Sequence, residues 1–197
     1  MSRGIKDELQ GRSLHSIHIG GVFASHEPAV VRTVLGSCIA VCLLDPFALV
    51  GGMNHFMLPE SSSGEAVSAR YGVHAMELLI NNCMKMGADR SRLQAKVFGG
   101  GHVLRIRESD DNVPQRNIRF ALQFLETEGI AILAQDVGGY AAREVFFFTD
   151  SGRILLKRLA STGLTGDELK ELEQEERTSR ARSKQAAQVD DSNITLF

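Results

Sequence analysis

Between Thr33 and Pro59 the chain spells strand, tight turn and strand, and few folds can hold that arrangement with the polar residues it carries. The run Cys38-Ile39-Ala40-Val41-Cys42-Leu43-Leu44 is continuously apolar, Asp45-Pro46 ends it, and Leu49 to Phe56 forms a second run closed by Pro59. Continuous apolar runs of this length read as buried strands, and Asp-Pro is a turn signal. The spacing therefore predicts a hairpin turning near residues 46–48. Positions equally far from such a turn lie opposite each other. Cys38 and His55 stand about nine and eight positions from residue 47, so register alone brings a thiol and an imidazole together at the open end.

Cys38 itself has two readings. Free cysteine is among the most buried residue types and behaves as a small hydrophobe. Placed directly after the Gly36-Ser37 turn, it is also a candidate nucleophile at the lip of a strand, with His55 as general base and acid. A neighbouring imidazolium lowers a thiol's pKa and favours the reactive thiolate. Such a thiolate attacks an acyl or carboxamide carbon, and the amides of Leu35 to Cys38, Gly36 and Ser37 foremost, are the candidate oxyanion donors. A competing reading gathers Cys38, Cys42, His55, His74 and His102 as a soft metal site. Against it, Cys38 and Cys42 lie four apart within one strand with no turn between them. The same spacing, roughly 13 Å along an extended chain, argues against a disulfide.

The rest of the chain reads as follows. His15 to Phe23 alternates with Ile17 and Ile19 on one face, which predicts a half-buried strand with His18 on the solvent side. Ala24 to Pro28 is a turn, and Ala29 to Thr33 a β-branched run. Glu60 to Ala69, Ser-rich and poor in apolar residues, predicts a surface loop. Tyr71 to Met86 repeats Val73, Met76, Leu79, Ile80, Cys83 and Met84 at helical spacing and ends at Gly87; Cys83 falls on that apolar stripe. Leu93 to Phe98 is a strand followed by Gly99-Gly100-Gly101-His102, glycines that let the backbone approach something closely. They lack the continuation of a phosphate loop. Pro114 to Glu128 is a second helix, with Ile118, Ala121, Leu122 and Leu125 inward. Strands at Ile130–Ala134, Arg143–Thr149 and Ile154–Leu159 follow. After Leu159 the composition turns charged, and Asp167 to Lys184 interleaves opposite signs as a solvated helix does. Residues 185–197 read as disordered.

A length of 197 residues with 43% hydrophobic composition suits one globular domain with an appended tail. No window approaches a membrane helix. Three cysteines without staple spacing, and an N-terminus of mixed charge with no apolar core, point to the cytoplasm. A net charge of −2 with no long basic run gives nucleic-acid binding little support.

Leu35-Gly36-Ser37-Cys38-Ile39-Ala40-Val41-Cys42-Leu43, followed by Gly51-Gly52-Met53-Asn54-His55-Phe56-Met57-Leu58-Pro59, resembles the chemoreceptor glutamine deamidases of the CheD family. So do Lys96-Val97-Phe98-Gly99-Gly100 and Asp136-Val137-Gly138-Gly139 downstream. The resemblance spans roughly residues 15–160, leaving 1–14 as a polar lead-in and 161–197 as a charged tail. It implies an α+β fold of packed mixed and antiparallel sheets, sandwich-like, flanked by two main helices. It implies a cysteine-dependent protein-glutamine glutaminase that converts glutamines of methyl-accepting chemotaxis receptors to glutamate and releases ammonia, with no cofactor and no metal. Cys38 and His55 match the family's catalytic pair. Family members carry a threonine upstream of the cysteine turn. Here Arg32 stands six residues before Cys38 and Thr33 five before, and Thr33 is the candidate for orienting His55. The resemblance also implies a second class of function, as the regulatory partner of a CheC-type chemotaxis phosphatase.

Overall fold

The computed structural model describes Leu9 and residues 11–58, 65–103 and 113–159. The charged tail 161–197 lies outside the described residues. Nine strands and two helices are described: β1 (Ser13–Ser16), β2 (Val22–Ser25), β3 (Ala29–Leu35), β4 (Ile39–Asp45), β5 (Val50–Asn54), α1 (Glu65–Lys85), β6 (Gln94–Gly99), α2 (Val113–Thr127), β7 (Ala131–Val137), β8 (Ala142–Phe148) and β9 (Ile154–Leu159).

The strands form a four-stranded sheet in the order β1-β3-β8-β9 and a five-stranded sheet in the order β2-β5-β4-β6-β7. Both are mixed, with β1–β3 and β6–β7 parallel and the other pairs antiparallel. Alternation along each strand sorts the core into layers. Val31, Leu35, Val145 and Phe147 of the first sheet meet Cys38, Ala40, Cys42, Met53 and Phe98 of the second in one buried cluster. The opposite residues, Ile39, Val41, Leu43, Ala95 and Val97, pack beneath Met76, Leu79, Ile80 and Cys83 of α1 and Ala121 and Leu125 of α2. The architecture is α+β: sheet on sheet, with both helices on the outer face of the five-stranded sheet.

The hairpin forms as its spacing predicts. Cys42 pairs with Met53 and Asp45 with Val50. Its turn is anchored by the buried Asp45 carboxylate, which accepts from the Phe47 and Ala48 amides and from the Asp89 amide. Arg92 pairs with the same carboxylate at 2.7 Å and holds its pKa well below the usual carboxylate range. A fixed turn fixes the register beyond it.

Three expectations are corrected. His15 to Phe23 is not one strand: the Gly20-Gly21 turn, with Gly20 at φ +80°, splits it and sends β1 and β2 to different sheets. Helix α1 starts at Glu65, so the second half of the predicted loop is helical, while 59–64 lie outside the described residues. Val73 and Met84, expected on the α1 core stripe, are each 43% exposed. The stripe runs through Met76, Leu79, Ile80 and Cys83, and Gly72 fills the tight contact against Phe120.

Candidate active site

The chain passes from the first sheet to the second through the bend Gly36-Ser37-Cys38, between β3 and β4. This crossing puts the thiol where the two sheets meet. The hairpin register continues past β5, because Ile39 and Phe56 exchange both backbone hydrogen bonds. His55 therefore stands opposite Ala40, on the inter-sheet face and one diagonal step from Cys38. Diagonal neighbours on one face lie roughly 7–8 Å apart between backbones, within reach of each other's side chains.

Thr33 reaches the same place from the other sheet. Every residue of β3 but Arg32 is buried; Val31 and Leu35 lie in the inter-sheet cluster and Thr33 falls between them on the same face, whereas Arg32 points the other way and pairs with Glu144 at 2.7 Å. The hydroxyl of Thr33 lies 2.8 Å from His55 Nδ1 and donates to the Ile17 carbonyl at 2.9 Å. A carbonyl can only accept, so the single hydroxyl proton is committed to Ile17, and Nδ1 must be the donor toward Thr33. That leaves the Nε2 lone pair as the ring's acceptor. The main chain of His55 is held as well: its carbonyl accepts from Gly20 and its amide donates to Gly21, at 2.7 and 3.0 Å. The tautomer and the ring position are both set by the crossing loop between β1 and β2.

All three side chains are buried, Cys38 and His55 at 1% exposure and Thr33 at 2%. Burial is the main reason that the His55 pKa falls from 6.5 to about 3; charge on His18 adds to the fall, and the hydrogen bond that the ring donates to the Ile17 carbonyl opposes it. Burial thus favours the neutral ring, the form that can accept a proton.

The same shift sets an acid limit on the fold. As pH falls below 6.5 the unfolded chain binds a proton at His55 that the native state refuses until about 3, so native stability is full above 6.5 and is lost in between. Between pH 7 and 5 this amounts to about 2 kcal/mol, at ~1.4 kcal/mol per unit for one proton. Urea unfolding at the two pH values is expected to show that loss in the wild type and not in His55→Gln. An equal loss in both would refute it.

The glycine run resolves into a clasp on the cysteine bend. The Gly100 amide donates to the Cys38 carbonyl at 2.6 Å, and the Gly101 amide to the Gly36 carbonyl at 2.7 Å. Arg143, 3% exposed, holds the clasp from behind by donating to the Gly99 carbonyl at 2.7 Å and to the Gly138 carbonyl, and it pairs with Asp136. A trans peptide points each carbonyl opposite to the next residue's N–H. The Gly36 and Ser37 carbonyls accept from the Gly101 amide and from Asn117 Nδ2, so the N–H groups of Ser37 and Cys38 point away from these two partners. The Gly36 carbonyl is thus one of the two groups that the clasp holds.

Of the other nominal metal ligands, Cys42 is buried in the inter-sheet cluster. His74 is exposed on α1, and the His102 ring lies tilted beside Tyr140 with centroids 6.0 Å apart. Sequence reading missed Arg143 and Asn117. The signal for Asn117 is its polarity within the apolar stripe of α2, one residue from Ile118.

Removing the Thr33 hydroxyl while keeping its shape isolates its role. Thr33→Val is expected to lower turnover about tenfold to a hundredfold, because the ring loses its tautomer and orientation. Thr33→Ser, which restores the hydroxyl, is expected to recover most of it. Equal turnover in the two variants would remove Thr33 from the site.

A family model described as CheD chemotactic sensory transduction matches residues 57–158, more than half of the chain. A probable chemoreceptor glutamine deamidase CheD of Bordetella petrii is 53% identical over 139 residues, covering 70% of this chain and 62% of that one. One of the same description from Stenotrophomonas maltophilia is 49% identical over 133 residues, covering 68% and 67%. The chain thus spans somewhat under two thirds of the Bordetella petrii relative's length. A solved Neisseria meningitidis protein of the DUF152 family is similar at 12% identity, with a TM-score of 0.42 over 70% of this chain and 66% of that one. Cys38 and His55 lie outside the stretch that the family model matches.

Proposed function

The chain belongs to the CheD family, and from that premise we propose that it is a cysteine-dependent amidohydrolase converting glutamine side chains of chemoreceptors to glutamate. The observation that carries the reading is the Thr33-held His55, its Nδ1 engaged and its Nε2 left as acceptor, on the same inter-sheet face as Cys38. Cys38 gives its thiol proton to His55 Nε2, and the sulfur attacks the glutamine carboxamide carbon. The oxygen of the tetrahedral intermediate takes hydrogen bonds from the Ser37 and Cys38 amides. His55, now an imidazolium, protonates the departing nitrogen, and ammonia leaves a thioester. Water, deprotonated by His55, adds to the thioester carbon and releases glutamate and the thiol. One water enters and one ammonia leaves for each glutamine converted.

Apolar walls suit this sequence of steps. Ile17, Ile19, Met57, Phe98 and Val113 pack in the cluster that holds Cys38 and thin the water around the thioester. Among the described residues no helix is long and apolar enough to cross a membrane. The proposed substrate is the receptor's cytoplasmic helices, as the relatives' description as chemoreceptor glutamine deamidases supports.

The test is mass spectrometry of receptor cytoplasmic fragments incubated with the full chain. Peptides showing the Gln-to-Glu mass gain, with matching ammonia release, are expected. Fragments from several receptors left unchanged under conditions where the protein is folded would overturn the assignment.

A further inference from the structure

Helix α2 breaks its own pattern at one point. Its buried positions are Pro114, Asn117, Ala121 and Leu125, and Asn117 is fully buried in a stripe that should be apolar. A buried amide is costly unless its hydrogen bonds are made. Asn117 makes them to two backbone groups of the site: Nδ2 donates to the Ser37 carbonyl at 2.8 Å, and Oδ1 accepts from the Leu58 amide at 2.8 Å. One of these residues precedes Cys38, and the other follows His55 by three.

We propose that Asn117 is a positioning residue for the oxyanion site. By holding the Ser37 carbonyl it sets the plane of the Ser37–Cys38 peptide, and so aims the Cys38 N–H at the oxygen of the tetrahedral intermediate. Its second bond ties that peptide to the segment leaving His55, keeping the two halves of the site in one frame. Gly100 and Gly101 hold the carbonyls on either side of this peptide; Asn117 holds the one between them. The inference rests on Cys38 being the nucleophile, and it can be tested without a receptor.

The experiment compares two reactions of Cys38 in the full chain, each corrected with Cys38→Ala. Acylation by p-nitrophenyl acetate passes through an oxyanion; alkylation by iodoacetamide does not. Asn117→Asp keeps the size and the acceptor to Leu58 but turns an acceptor on the Ser37 carbonyl. It is expected to slow acylation about tenfold to a hundredfold, the scale of one weakened oxyanion donor, while alkylation stays near the wild-type rate. Asn117→Leu, which fills the same volume, is expected to show the same split. In receptor deamidation the loss should fall on kcat rather than KM. Unchanged acylation, or acylation and alkylation falling together, would make Asn117 a structural residue and overturn the proposal. Should neither variant fold or the ester not react, NMR of wild-type protein decides. Exchange-protected Asn117 side-chain amide protons with a contact to Ser37 support the proposal, and rapid exchange refutes it. Wild-type protein that acylates normally but leaves every receptor glutamine intact would refute the proposed substrate alone.

Discussion

A Cys38→Ala protein is expected to fold and to convert no receptor glutamine. The stability side is small: one sulfur is deleted from a buried site, a loss of about 1 kcal/mol, within the ordinary range for single substitutions. The catalytic side is large, because removing the nucleophile of a paired nucleophile and base costs about four orders of magnitude or more. His55→Gln is expected to fall as far, since residues that act as a unit lose as a unit. Cys42 and Cys83 provide the contrast. Burial pushes both thiols up, that of Cys83 to about 12, so neither is poised to react at neutral pH. Cys42→Ala and Cys83→Ala should keep turnover after allowance for stability. Glutamine conversion by mass spectrometry, with ammonia release, measures all four variants on one receptor fragment. Full conversion by Cys38→Ala would end the thiol mechanism, whatever the other variants do.

That the cysteine and histidine were readable from sequence follows from how local their relation is. One hairpin joins them, its turn is marked by Asp45-Pro46, and counting from a turn fixes register. Thr33 was readable in principle by the same alternation, since Val31 and Leu35 share its face while Arg32 shares the other. What alternation could not supply was the partner sheet. Strand β3 pairs with β8, more than a hundred residues away, with Val31 opposite Phe147. Nothing in either strand names the other.

The glycine run fails to declare itself for the same reason. Its sequence says only that something comes close, and the something is the carbonyl of Cys38, delivered by a different strand. Asn117 is harder still. A helical stripe is read by its apolar members, and although Ile118 does pack against the core, the fully buried position beside it holds an amide whose two partners lie on separate loops. Asn117 breaks the local pattern of its helix and reaches the bend before Cys38, as expected where function overrides local consistency.

Gly99→Ala tests whether the clasp governs the nucleophile. Gly99 sits at φ +116°, and a Cβ there would come within 2.2 Å of the Cys38 carbonyl oxygen and 3.1 Å of the Ile39 Cα. Both are backbone atoms, so no side-chain rotation relieves the contact. The cysteine bend or strand β6 has to move. Gly87 supplies the control: its φ is +105°, nearly the same, but nothing lies within 4 Å of a Cβ built there. Gly87→Ala should therefore carry the backbone strain alone, about 1–3 kcal/mol, and leave turnover intact. Gly99→Ala carries the same strain plus displacement of the Cys38 carbonyl from the Gly100 amide. It is expected to cost at least ~2 kcal/mol more, in the range of severe single substitutions, and to reduce turnover about a hundredfold or more through lost alignment of the reacting atoms. Urea unfolding gives the first quantity, and glutamine conversion at a temperature where both variants are folded gives the second. Equal turnover in the two variants would mean that the glycine clasp supports the sheet without directing the chemistry of Cys38.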